Sequence, residues 1–245
     1  MKNFTFVIAG IFKNESHILE EWIEHYLKWG AEHFYLVNDN STDNYCEIIN
    51  KFKDKITLFQ NEIVTDNTDR QTKIYERYFK DIPSEWVGII DLDEFIYSSM
   101  YKDIKECLTN PKISQIKIDW LHFGSSGYIE QPESVVNSFT KRAKFDTSKE
   151  YYSYKTIYRT KDLTGFGVHG HHVNGKTFHA SHLVLVINHY PIQSLNFFMN
   201  VKSTRGDVNN WFDRTGRKRD ISYFQKQDIN EIEDTTLIKM NNIFK

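Results

Sequence analysis

The sequence predicts an α/β fold with a doubly wound, mostly parallel central sheet, and three observations carry that prediction. Short apolar runs alternate with stretches of helical periodicity, the connections between them are brief, and the runs in the first half stop on acids or amides. The clearest run is Trp86-Val87-Gly88-Ile89-Ile90, which ends on Asp91-Leu92-Asp93-Glu94. A Val/Ile run bounded by charge reads as a strand buried on both faces, and open α/β sheets bind ligands at the carboxyl ends of such strands. On a continuing strand Asp91 and Asp93 share a face, close enough to hold one hard cation. An isolated D-x-D is more often a plain acidic strand end that caps the next turn, so the rest of the chain decides.

Phe4 to Ile11 is a first strand, and Ile18, Leu19, Trp22, Ile23, Tyr26 and Leu27 then recur at helical spacing. Gly30 closes that helix, and His33 to Val37 is a second strand that stops at Asn38-Asp39. Ser41 or Thr42 is expected to cap the next helix, with Tyr45, Ile48, Ile49 and Phe52 on its apolar face; Ile56 to Phe59 is a short third strand. Asp69-Arg70-Gln71-Thr72 opens a helix carrying Ile74, Tyr75, Tyr78 and Phe79, and Pro83-Ser84 breaks it before the acid-tipped strand.

The second half reads differently. Ile113 to Asp119 alternates as a half-buried strand and is expected to give way to a loop over Trp120 to Gly127. Glu133 to Phe145 has helical spacing, Lys155 to Arg159 is a strand, and Gly165 to Gly175 packs His169, His171 and His172 into a glycine-rich loop. Leu183 to Ile187 is apolar and ends at Asn188-His189-Tyr190; a helix follows through Phe197 and Phe198, then Lys202 and Arg205. Beyond Asp207 the chain is polar, with a helix expected over Asn230 to Phe244. The expected organisation is one domain over 1–206, its halves meeting near 97 and 98, with 207–245 as a charged, partly helical extension.

Composition excludes several classes. The chain has 245 residues with 31 Lys+Arg against 33 Asp+Glu, so no global field favours nucleic acid or an anionic membrane. Cys46 and Cys107 lack C-x-x-C spacing, which argues against a disulfide scaffold or a zinc site and fits reduced, cytoplasmic thiols. The first apolar run is too short to be a transmembrane segment and has no small-residue cleavage site. Any membrane association is expected to be peripheral, through an acceptor or a partner.

Three strand ends therefore present Asn14-Glu15, Asp39, and Asp91 with Asp93 along one sheet edge. A carboxylate there accepts from a base N–H or a ribose hydroxyl, while a cation held by carboxylates neutralises a diphosphate. Neither G-x-G-x-x-G after the first strand nor G-x-x-x-x-G-K-[ST] occurs, so phosphate charge must be met by metal and by side chains.

Phe12-Lys13-Asn14-Glu15 with Glu21-Trp22 and His25, Asn38 to Asp43, Asp91 to Phe95, Phe123 to Gly127, and His189-Tyr190 with Ser194, Lys202 and Arg205-Gly206 together resemble the family-92 glycosyltransferases and their family-2-like relatives. The resemblance covers roughly residues 4–206 in the same order. It implies a GT-A fold with an acceptor-side C-terminal half, a nucleoside-diphosphate sugar donor (UDP or GDP), a divalent cation (Mn²⁺ or Mg²⁺), and transfer to a glycan hydroxyl, commonly with inversion. A role in surface polysaccharide or glycoconjugate synthesis follows.

Carried over by position, Asp39 accepts from base or ribose, with Asn14 and Glu15 lining the same pocket. Asp91 reaches ribose or metal, Asp93 binds metal, and His189 stands where a third metal ligand is often found. Asp69 and Gln71 fall where a loop touches the nucleotide, although Asp69 reads equally well as a helix cap. Lys155, Lys202 and Arg205 are candidates for diphosphate contacts. Glu94 is either a supporting residue or a packing partner, because strand alternation points it away from Asp93. Inverting transfer needs a general base, for which Asp119 comes first and Glu130 second. Trp120, His122 and Phe123 form an expected acceptor platform, with His169 on an acceptor loop. Removing Asp93 is expected to abolish metal-dependent nucleoside-diphosphate binding while leaving the thermal transition nearly unchanged. The competing classes are a catalytically idle glycan- or nucleotide-binding module and a metal-dependent nucleotidyltransferase.

Overall fold

The computed structural model describes residues 3–63, 69–149, 152–205, 208 and 219–243. Gly206, Asp207 and Phe244 lie outside the described residues. The first half is built from β1 (Phe4–Phe12), α1 (Ser16–Lys28), β2 (Phe34–Asn38), α2 (Tyr45–Lys51), β3 (Ile56–Gln60), α3 (Arg70–Tyr78), β4 (Ser84–Ile89) and β5 (Glu94–Tyr97). The second half adds β6 (Ile113–His122), α4 (Val135–Ser138), β7 (Lys141–Arg142), β8 (Tyr154–Arg159), β9 (Leu163–Gly165), β10 (His172–Val173), β11 (Lys176–His179) and β12 (Val186–His189). A helix from Leu195 to Arg205 follows, α5 (Leu195–Phe197) and α6 (Ser203–Arg205) flanking a π-helical turn over Phe198–Lys202. The chain closes with α7 (Ile221–Gln227), β13 (Ile232–Glu233) and α8 (Thr236–Ile243).

The main sheet has the order β3-β2-β1-β4-β8-β6-β12-β5, with β11 also paired to β6. Parallel pairing joins β3, β2, β1 and β4, whereas β8 runs antiparallel to both β4 and β6. One edge of β6 is covered first by β11 and then by β12, both parallel to it, and β12 runs antiparallel to β5. The sheet is therefore parallel in its first half and mixed in its second, the GT-A plan that the resemblance implies.

Alternation along β1 produces the double winding. Phe6 and Ile8 pack with Trp22 and Tyr26 of α1, while Val7, Ala9 and Ile11 pack with Ile74 and Tyr75 of α3 and with Phe79 just past its end. Gly10 is required by a close approach: a Cβ there would sit 2.9 Å from the Ile90 carbonyl oxygen. Among the described residues no helix is long and apolar enough to cross a membrane.

Four expectations change. The stretch Trp120–His122 is strand rather than loop, because β12 supplies a ladder for it, with Ile187 opposite Trp120 and His189 opposite His122. Only Val135–Ser138 of the 133–145 segment is helical; Lys141 and Arg142 are drawn into pairing with Glu233 and Ile232, and a distant strand partner outweighs local periodicity. That pairing likewise starts the last helix at Thr236 rather than Asn230. Ser41 and Thr42 do not cap α2. The Ser41 hydroxyl accepts from the Asn14 N–H at 3.0 Å and the Thr42 N–H donates to Asn14 Oδ1 at 2.7 Å, tying the two strand-end loops together.

Candidate active site

The acid motif is a turn, not a continuing strand. β4 stops at Ile89, and the Glu94 N–H donates to the Asp91 carbonyl at 3.1 Å while Glu94 Oε2 accepts the Asp91 N–H, also at 3.1 Å. Helix α1 holds this turn from one side: Trp22 Nε1 donates to the Asp91 carbonyl at 3.1 Å, and the Tyr26 hydroxyl donates to the Glu94 carbonyl at 3.0 Å. His25 Nε2 donates to the Ile96 carbonyl at 2.8 Å.

The turn sends its two aspartates to different partners. Asp91 remains 40% exposed, and its Oδ2 accepts from Lys155 Nζ at 2.8 Å, with Lys155 buried behind it. Asp93 is buried; Lys202 Nζ stands 2.5 Å from its Oδ2, and His189 Nε2 lies 3.7 Å from its Oδ1. Burial alone would raise the Asp93 carboxyl, but the Lys202 ammonium beside it outweighs that and holds it well below the usual carboxylate range. Burial pushes Glu94 well up, and its Oε1 has no hydrogen-bond partner among the described residues.

Asp93, Glu94 and His189 offer ligand atoms that lie within 4.8 Å of one another. Two carboxylates suit Mn²⁺ or Mg²⁺, the imidazole favours Mn²⁺ of the two, and a cation would give the buried Glu94 carboxyl a partner. This grouping brings Glu94, rather than Asp91, next to Asp93, because the 91–94 turn interrupts the strand alternation. His189 is fixed by its strand and packs against Trp120 with the rings tilted by 38° and their centroids 4.0 Å apart; burial holds its pKa well below the usual value.

The second strand end carries another buried pair. Asp39 takes Arg70 on both oxygens, Nη2 to Oδ1 at 2.6 Å and Nη1 to Oδ2 at 2.9 Å, and Asn61 Nδ2 donates to Oδ1 at 2.7 Å. Burial opposes the charge, but Arg70 and Asn61 keep this carboxyl below its ordinary value. At the first strand end, Glu15 Oε1 accepts from Arg205 Nη2 at 2.8 Å, and Arg205 Nη1 also reaches the Lys13 carbonyl.

These groups line a cleft of about 370 Å³, within the size range of small-molecule sites. It gathers Glu15, Asp39, Gln71, Asp91, Asp93, Trp120, His169, His189, Lys202 and Arg205 from the residues expected by sequence. His169 stands edge-on to Trp120, ring centroids 5.4 Å apart, and burial lowers its pKa, which keeps the imidazole neutral.

The remaining expected residues lie elsewhere. Asn14 is engaged by the Ser41–Thr42 loop, and Asp69 is exposed and pairs with Lys73 at 3.0 Å. Lys155 stands behind Asp91 rather than on the cleft wall. Neighbours on a strand point to opposite faces, so Asp119 turns away from Trp120, and His179 and His182 face it at 2.7 and 3.5 Å. Glu130 accepts from Asn196 Nδ2 at 2.5 Å, outside the cleft. His122 donates to the Gln227 carbonyl at 2.9 Å, and Phe123 is fully buried against Tyr190; neither lines the cleft. Arg219 and Tyr223, on the cleft wall, had no motif to announce them. Arg70, which the resemblance puts with Asp69 and Gln71 in a loop that touches the nucleotide, closes instead on Asp39.

The profile of glycosyltransferase family 92 matches residues 2–240. A family 92 protein of Oryza sativa subsp. japonica is 23% identical over 215 residues, covering 83% of this chain and 36% of its own length. One from Ricinus communis is 24% identical over 208 residues, covering 78% and 36%. The chain thus spans about a third of the length of the curated relatives it matches. Among solved structures, S. aureus TarS 1–349 superposes with a TM-score of 0.42 at 20% identity, over 64% of this chain and 47% of that one. GalNAc-T7, solved with UDP, GalNAc and Mn²⁺, gives 0.47 at 11% identity, over 99% and 55%. With its profile matched over nearly the whole sequence, the chain belongs to glycosyltransferase family 92.

Proposed function

We propose that this chain transfers a sugar from a nucleoside-diphosphate sugar to a glycan hydroxyl, with inversion, in surface polysaccharide or glycoconjugate synthesis. The observation that carries the reading is one cleft containing Asp39, Asp91 and Asp93 together with Lys202 and Arg205. Asp39, oriented by the Arg70 fork, accepts from the base or ribose, and Gln71 lines the same end. Asp91, the most exposed of the three acids, meets the ribose. Asp93, Glu94 and His189 would hold Mn²⁺ or Mg²⁺, which when bound neutralises the diphosphate. Lys202 and Arg205 meet the charge that builds on the leaving diphosphate.

On the acceptor side, Trp120 offers its face to a sugar, and the neutral imidazole of His169 beside it takes the proton of the attacking hydroxyl. His169 thereby takes the role first given to Asp119 and Glu130. The test is a panel of UDP-, GDP- and dTDP-sugars incubated with the protein, with Mn²⁺ or with EDTA. Release of nucleoside diphosphate from at least one sugar, dependent on the cation, is expected; no release from any of them by folded protein contradicts the proposal.

A further inference from the structure

We propose that Lys202 is the resident occupant of the cation seat, so that a divalent cation and this ammonium exclude one another at Asp93 until an arriving diphosphate draws Lys202 away. The inference rests on the donor-site reading above and goes beyond it, because it makes cation and nucleotide binding obligately coupled.

Charge and geometry both lead there. Asp91, Asp93 and Glu94 are faced by two buried ammonium groups: Lys155, 2.8 Å from Asp91 and 3.9 Å from Glu94, and Lys202, 2.5 Å from Asp93. Arg205 is already matched by Glu15. A divalent ion bonded to Asp93 sits about 2–2.5 Å from its carboxylate oxygen. With Lys202 still on that carboxylate, ion and ammonium would be close neighbours where both side chains are largely buried and water screens them little, so the like charges repel strongly.

Only one of the two lysines has somewhere to go. Lys155 is not on the cleft wall, whereas Lys202 and Arg205 both line it. Lys202 also ends a π-helical turn, Phe198–Lys202, a local irregularity that can relax toward ordinary helix and shift the side chain it carries. A diphosphate in the cleft would give the ammonium a new anionic partner as it leaves Asp93, and the vacated carboxylate would then accept the cation. By linkage, the nucleotide must tighten the cation as much as the cation tightens the nucleotide.

The experiment follows free Mn²⁺ by electron paramagnetic resonance as it is titrated into wild type, Lys202→Met and Lys202→Arg, each without and with UDP. The wild type should bind Mn²⁺ alone weakly, and UDP should tighten binding by at least about tenfold, the usual range of coupling between sites. Lys202→Met should bind Mn²⁺ alone at least about tenfold more tightly than wild type, with the UDP effect reduced. Lys202→Arg, which keeps the charge, should stay close to wild type, and Lys202→Gln serves as a second neutral variant if Lys202→Met does not fold. Equal Mn²⁺ affinity in wild type and the neutral variant overturns this inference alone. No Mn²⁺ binding by either protein, even with UDP, overturns the donor-site reading and this inference with it.

Discussion

Arg70 closes both arms of its guanidinium on Asp39, at 2.6 and 2.9 Å, with both side chains out of solvent. Such a pair contributes orientation more than net stability, but removing one partner strands the other as a buried charge. Arg70→Ala should therefore lower unfolding stability by about 3–5 kcal/mol in urea titrations. Arg70→Lys, which keeps the charge but loses the planar fork, should fold better and still bind UDP more weakly than wild type. Wild-type stability in Arg70→Ala would show that the pair does not hold Asp39.

Asp93 obeys the same rule, and its pairing with Lys202 leads to a different expectation for the thermal transition of a variant that lacks it. Asp93→Ala leaves Lys202 without its 2.5 Å partner in a buried setting. The variant should unfold at a lower temperature than wild type, and Asp93→Ala combined with Lys202→Met should recover part of the loss. A double variant no more stable than the single one would contradict the pairing.

His169 should behave as a base rather than as a packing residue. His169→Asn is expected to lower kcat by about 10²–10⁴-fold with the donor KM little changed. In the wild type the acid limb of kcat should fall below the usual histidine value near 6.5, because burial lowers this imidazole. Asp119→Asn and Glu130→Gln should leave kcat near wild type. The reverse pattern would return the base to Asp119 or Glu130.

Stability should fall in mild acid. Burial lowers His17 to about 4, and His25 and His171 each to about 3. In the unfolded chain each takes a proton near pH 6.5, whereas the folded protein refuses it, so the unfolded state binds more protons. Each group thus removes up to about 1.4 kcal/mol per pH unit as pH falls from 6.5 toward its folded value. Urea titrations at several pH values between 7.5 and 5 should show this slope, and His25→Gln should reduce it by the share of one proton. An unchanged slope in His25→Gln would place its proton on the folded state as well.

Much of this molecule can be read from its sequence, for physical reasons. Parallel strands all end at one sheet edge, so Glu15, Asp39, Asp91 and Asp93 had to converge once the apolar runs were identified as β1, β2 and β4. What escaped depended on partners far along the chain. Glu94 joins Asp93 because hydrogen bonds reverse the chain between 91 and 94, which no alternation pattern encodes. Trp120 to His122 remain strand because β12, more than sixty residues later, pairs with them. The placement of Asp119 depended on the same pairing: once β6 is known to continue, its side chain must face away from Trp120. Arg219 and Tyr223 reach the cleft from a polar tail with no periodicity to mark them.

The central claim is that a nucleoside diphosphate binds over the ends of β1, β2 and β4, and calorimetric titration of UDP and GDP into wild type and Asp91→Asn, with Mn²⁺ present, tests it most directly. Asp91 is 40% exposed, so its amide variant should fold. The account predicts saturable binding of at least one of the two by wild type and a loss of at least about tenfold, or 1.4 kcal/mol, in Asp91→Asn. Equal affinity in the two folded proteins would contradict it.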